Sequence, residues 1–74
     1  KKNTLFETVI VSANDELVKL YLNKKIKYQD ISKKIIKLIK LKEFQKLKKI
    51  EANKVTDIEK IHKYVRLKIN SKSV

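Results

Sequence analysis

Not one of the 74 residues is glycine or proline. Average usage of about 7% and 5% would place several of each in a chain of this length. Their absence removes Gly-rich phosphate loops, dinucleotide-binding turns and nucleophile elbows together. It also removes the usual helix breakers, and so favours helices joined by turns of Asn, Lys and Asp. Seventy-four residues make one small domain or part of one, and such a chain buries only about 60% of its unfolded surface. The 42% hydrophobic content is enough to build a core and argues against disorder.

The apolar residues recur at helical spacing in three places. Helix A is expected over about residues 4–23. It opens on a T-x-x-E capping box, Thr4 and Glu7. Leu5, Phe6, Val9, Ile10, Ala13, Leu17, Leu20 and Tyr21 cover one broad face of it. Val11, Val18 and Leu22 form a second stripe on the other side, which implies neighbours on both sides. Asn23 to Lys27 reads as a turn. Helix B is expected over 30–41, with Asp30 as N-cap and Ile31, Ile35, Leu38 and Ile39 on one face. Residues 43–52 read as a short helical turn carrying Phe44, Leu47 and Ile50. Helix C is expected over 56–69, opened by a second capping box at Thr56 and Glu59. Ile58, Ile61, Val65 and Ile69 share its apolar face, and the polar tail from Asn70 to Val74 is expected to fray. No internal repeat and no Ser-rich linker divides the chain. The fold class expected is all-α, one unit.

The segment ISKKIIKLIKLK, 31–42, read alone, looks like a cationic peptide that lies on membranes. Two observations weigh against that use. Helices A and C carry matching apolar faces, so helix B has somewhere to bury its own. Lysine stems also cover the edges of an apolar stripe while their charges stay in water. No apolar run approaches the roughly 18–20 residues of a membrane span, and Lys1 and Lys2 lead into an amphipathic segment rather than a signal peptide. The net charge of +12 admits a nucleic-acid surface or an AT-rich coding bias towards Lys, Ile and Asn. Only Arg66 among 20 basic residues is arginine, the residue favoured for bidentate phosphate and guanine contacts, so the coding bias is the preferred reading. Lys33, Lys34, Lys37 and Lys40 are then a solvated face.

No constellation of residues announces catalysis. His62 is the single histidine and sits at the edge of helix C's apolar face. A metal site needs several ligands and a general base needs an orienting partner, and the spacing offers neither. Asp15 and Glu16 point about 100° apart on a helix, which is poor geometry for a carboxylate pair. Asp57 and Glu59 fit the positive end of helix C. Ser12, Ser32, Ser71 and Ser73 have no base partner visible in the sequence. With no cysteine there is no thiolate metal site and no disulfide. No catalytic, cofactor-binding or metal-ligating residue is assigned.

VIVSANDELVKLYLNKKIKYQDI, residues 9–31, resembles the C-terminal helical domain of the 1-deoxy-D-xylulose 5-phosphate reductoisomerases. The family pattern is a Leu-Asn-Ala-Ala-Asn-Glu helix, an aromatic-Leu pair, a short turn, and an Ile-basic-aromatic-x-Asp-Ile entry to the next helix. Ile10, Ala13 and Asn14 match the first part, Tyr21 and Leu22 the pair, and Ile26, Lys27, Tyr28, Asp30 and Ile31 the entry. Val11, Ser12 and Asp15 depart from it, and LKKIEAN, 47–53, is a looser match. The resemblance implies a four-helix bundle whose last three helices are A, B and C. It implies an oxidoreductase and isomerase of non-mevalonate isoprenoid biosynthesis, with NADPH and Mg2+ or Mn2+ held in other domains of the same polypeptide. It further implies a homodimeric enzyme, a bracing role for this domain, and, with the Lys- and Asn-rich composition, a relict plastid (apicoplast). Self-association is expected of the isolated chain, and neither nucleic acid nor membrane is expected as a partner. The reading from a different class is a free-standing basic helical module that binds nucleic acid or acidic partners.

Overall fold

The computed structural model describes residues 3–71. It is all-α. Helix α1 spans Leu5–Leu22, α2 Tyr28–Ile39, the single-turn α3 Lys42–Gln45 and α4 Val55–Asn70, with a 310 turn, Lys46–Lys49, after α3.

Thr4 and Glu7 form the capping box. The Thr4 N–H donates to Glu7 Oε1 at 2.9 Å and the Glu7 N–H to Thr4 Oγ1 at 3.4 Å. The same end of α1 is tied to the segment before α4. The Leu5 N–H donates to the Ile50 carbonyl at 2.8 Å and the Ala52 N–H to the Asn3 carbonyl at 2.9 Å, forming an isolated antiparallel bridge between Thr4 and Glu51. The bonds from the Leu5 and Glu7 N–H groups satisfy first-turn donors that have no partner inside the helix.

Two of the expected helix starts need correction. α2 begins at Tyr28, and Asp30 serves from inside its first turn instead of as N-cap. Its carboxylate accepts from the Lys27 N–H at 2.9 Å, where a negative charge also meets the positive end of the helix. α4 begins at Val55, which places Thr56 within the helix. The expected box with Glu59 does not form, and the N-cap Lys54 has no side-chain cap bond. At the other end, Asn70 closes α4 instead of fraying: its side-chain amide donates to the Arg66 carbonyl at 2.8 Å. Lys72 to Val74 of the expected tail lie outside the described residues.

α1 is the central element. It packs against α2, α3, the 310 turn and α4, whereas the backbones of α2 and α4 do not come close. Val9, Ala13 and Leu17 of α1 are fully buried together with Leu38, Phe44 and Val65, and Ile69 is nearly so. Phe6, Leu20, Ile26, Ile31, Ile35, Leu41, Leu47 and Ile61 pack around them. Among the described residues the second stripe of α1 is only partly covered: Val11 is 55% and Leu22 71% exposed, and Val18 is half-buried.

The turn after α1 shows what a chain without glycine must do. The Lys25 N–H donates to the Leu20 carbonyl at 2.8 Å and the Lys24 N–H to the Tyr21 carbonyl at 2.9 Å. This is the Schellman pattern, which needs a left-handed residue and usually takes glycine. Here Lys24 occupies it at φ 61°. A side chain in that region costs roughly 1–2 kcal/mol, of which the entropy of glycine in the unfolded chain would offset part. Lys24→Gly is therefore expected to raise stability by up to about 1 kcal/mol, and Lys24→Val to lower it by about as much. Urea unfolding of the two variants checks the pair.

Candidate functional site

Three features have the polar or charged character that a functional site needs. The first lies between α1 and α4. Ser12 is buried on α1, yet it is polar, and its Oγ is hydrogen-bonded to Nδ1 of the half-buried His62 on α4. One turn further along α1, the buried Glu16 accepts from the Asn70 side-chain amide at 2.8 Å. The sequence offered Ser12 no partner, and the fold supplies one from 50 positions away. The signal was present as a polar residue on the apolar arc of each helix, but periodicity does not say which arcs meet. The pair is not arranged for nucleophilic attack. Ser12 retains 5% exposure, so a substrate carbonyl cannot reach its hydroxyl.

The second feature joins α3 to α4. The Tyr64 hydroxyl donates to Glu43 Oε1 at 2.5 Å, and the Lys68 ammonium pairs with Glu43 Oε2 at 2.9 Å. Lys68 also stands 5.6 Å from the Tyr64 ring centre, and Tyr64 meets the buried Phe44 edge-on at 5.8 Å. The Tyr64 hydroxyl and then the Lys68 ammonium hold the Glu43 carboxyl below its ordinary value. The Glu43 carboxylate, with some burial, pushes the Tyr64 phenol above its own. Glu43 and Tyr64 are well exposed, so solvent screens the cluster and its contribution to stability is small. The cluster works as a surface clasp on α3, with every member engaged by another.

The third feature is the basic surface. Eleven of the 20 Lys and Arg residues lie between Lys24 and Lys49, whereas α1 carries Lys19 alone. Lys33, Lys37 and Lys40 are exposed, as a solvated face requires. Lys34 is half-buried, so not all four lysines of α2 point wholly into water. Lys48 lies 5.0 Å above the Phe6 ring and shields a core-edge aromatic. The outward face of α1 differs from the rest of this basic surface, since it carries Val11, Asn14, Asp15 and Leu22.

Among the described residues, no group of three or more His, Cys, Asp or Glu is placed to hold a metal ion. None of the described helices is long and apolar enough to cross a membrane. Asp15 and Asp57 enter no cluster.

The family model for the C-terminal domain of DXP reductoisomerase matches residues 1–68. The chain belongs to that family. It is 51% identical over 73 residues to the 1-deoxy-D-xylulose 5-phosphate reductoisomerase of Pelagibacter ubique (strain HTCC1062), a match that covers 99% of this chain and 19% of the relative. The chain thus spans about a fifth of that relative's length. No solved structure matches. Among the described residues, every buried side-chain polar atom has a hydrogen-bond partner inside the fold.

The pH dependence of the clasp follows from the two shifts. Glu43 is lowered, so its contribution is present above its ordinary value of 4.5 and is lost as pH falls through the lower folded value. Tyr64 is raised, so its contribution is present below 10.0 and is lost as pH rises through the higher folded value. Phenolate absorbance of the chain, read against Tyr64→Phe, should show Tyr64 titrating above an ordinary tyrosine. Glu43→Gln should bring that titration down.

Proposed function

We propose that this chain is the non-catalytic C-terminal helical domain of an NADPH-dependent 1-deoxy-D-xylulose 5-phosphate reductoisomerase of non-mevalonate isoprenoid biosynthesis, and that it braces the catalytic domain of the same polypeptide. The observation that carries the reading is the family match along residues 1–68, joined by 51% identity across 99% of the chain. The residues here do not fit NADPH or a divalent metal. A chain without glycine has no phosphate-cradling loop of the dinucleotide-binding kind, and the described carboxylates form no ligand cluster. Both groups are therefore assigned to the other domains, and no step of the reaction passes through this one.

In this reading α1, α2 and α4 are three helices of a four-helix bundle. Another element of the polypeptide covers Val11, Val18 and Leu22. The outward face of α1 supports it, because that face is apolar to mildly acidic on a protein of net charge +12. The family pattern extends the reading to a homodimeric enzyme. The matched relative is bacterial, so the plastid location expected from composition is not carried forward. The free-standing basic module is not favoured, because the family match assigns the chain to a larger enzyme and gives the lysines no separate role.

The test is an assay of NADPH oxidation with 1-deoxy-D-xylulose 5-phosphate and Mg2+. The complete polypeptide is expected to turn over and the 74-residue chain to show no turnover. Removing these residues from the complete polypeptide is expected to lower kcat/KM by a hundredfold or more. Turnover by the isolated chain, or full turnover without it, would overturn the reading.

A further inference from the structure

We infer that Ser12, Glu16, His62 and Asn70 form a polar seam that fixes the register of α4 on α1, with Ser12 and His62 depending on each other. The need for such a device lies in the apolar pattern of α4. Ile58, Ile61, Val65 and Ile69 recur at spacings of three and four. Sliding α4 by one turn, about 5.4 Å, would bring Ile61 to the place of Val65 and Val65 to the place of Ile69. Hydrophobic contact is non-directional and discriminates weakly between those positions. Outside α1, α4 is held by Glu43, which bonds Tyr64 and Lys68 at an exposed and solvent-screened site, and by the Tyr64 ring against Phe44.

The two polar contacts break this degeneracy. They lie at different levels of one interface, Ser12 with His62 and Glu16 with Asn70. Ser12 and Glu16 are both buried. A slide of one turn in either direction separates both pairs at once and leaves a buried hydroxyl and a buried carboxylate without partners. Such groups lose their water and gain nothing in return. Specifying register is the best-attested use of a polar pair inside an apolar interface, at no gain in stability over a well-packed apolar pair. Asn70 Nδ2 also bonds the Arg66 carbonyl, which anchors the lower contact to the helix itself. His62 supplies the partner that the buried Ser12 hydroxyl needs.

The experiment is amide hydrogen exchange of α4 in the complete polypeptide. His62→Leu leaves the Ser12 hydroxyl unpaired and is expected to speed exchange through α4 about tenfold. His62→Asn, which keeps a polar atom near the level of Nδ1, is expected to restore most of the protection. Ser12→Ala combined with His62→Leu is expected to come close to the parent, since no polar group is then orphaned. Equal exchange in His62→Leu and the parent, or strictly additive effects of Ser12→Ala and His62→Leu, would overturn the mutual dependence. A second variant isolates register from stability: Ser12→Ala, Glu16→Leu, His62→Leu and Asn70→Leu together, in a Glu43→Ala background that removes the clasp on Tyr64 and Lys68. It is expected to keep its helical circular dichroism and to show more than one set of methyl resonances for Val65 and Ile69. A single sharp set in that variant would show that the apolar contacts fix the register alone.

Discussion

The fold hangs on the side of α1 that carries Val9, Ala13 and Leu17, none of which retains solvent contact. The backbones of α2 and α4 approach this helix and not one another, so α1 is the wall that both share. A small residue at Ala13 lets neighbours approach closely, and the larger residues beside it fill the space that remains. In a chain this short, one helix must serve as the shared wall of the core, because there is too little apolar surface for two. The consequence is a helix with an inner face fully used and an outer face on which Val11 and Leu22 stay exposed.

Much of this was legible in the sequence, for reasons that differ between elements. The capping box at Thr4 and Glu7 is a local signal, and nothing later in the chain competes with it. The apolar arc of α1 is unambiguous because eight residues agree on it. Asp30 was legible as a helix-start residue, but an acidic side chain suits both the N-cap and the third position, and local pattern does not choose between them. Thr56 and Glu59 have the spacing of a capping box, yet the helix starts one residue earlier and the pattern is overridden. Ser12 with His62, and Glu43 with Tyr64 and Lys68, could not be read in advance. Each is a contact across elements, and periodicity gives the face of a helix without naming the face it meets.

The lysines are the part of the sequence most easily misread. The α2 segment in isolation has the pattern of a membrane-surface helix, but Leu38 is fully buried and Ile31, Ile35 and Ile39 are half-buried in the core of the domain. What remains outside is charge, and it is concentrated between Lys24 and Lys49. The outward face of α1 escapes it. In the bracing role proposed above, this nearly lysine-free apolar stripe on an otherwise basic domain seats the rest of the polypeptide. The burial cost of lysine would make the other faces poor candidates.

That assignment of the α1 face is the central claim, and side-chain labelling by hydroxyl radicals tests it most directly. Val11 and Leu22 are labelled in the isolated chain and in the complete polypeptide, with the exposed Leu67 of α4 as the reference. The account predicts that Leu22 and Val11 lose most of their labelling, at least fivefold relative to Leu67, when the rest of the polypeptide is present. Equal labelling of Val11 and Leu22 in the two forms would contradict it.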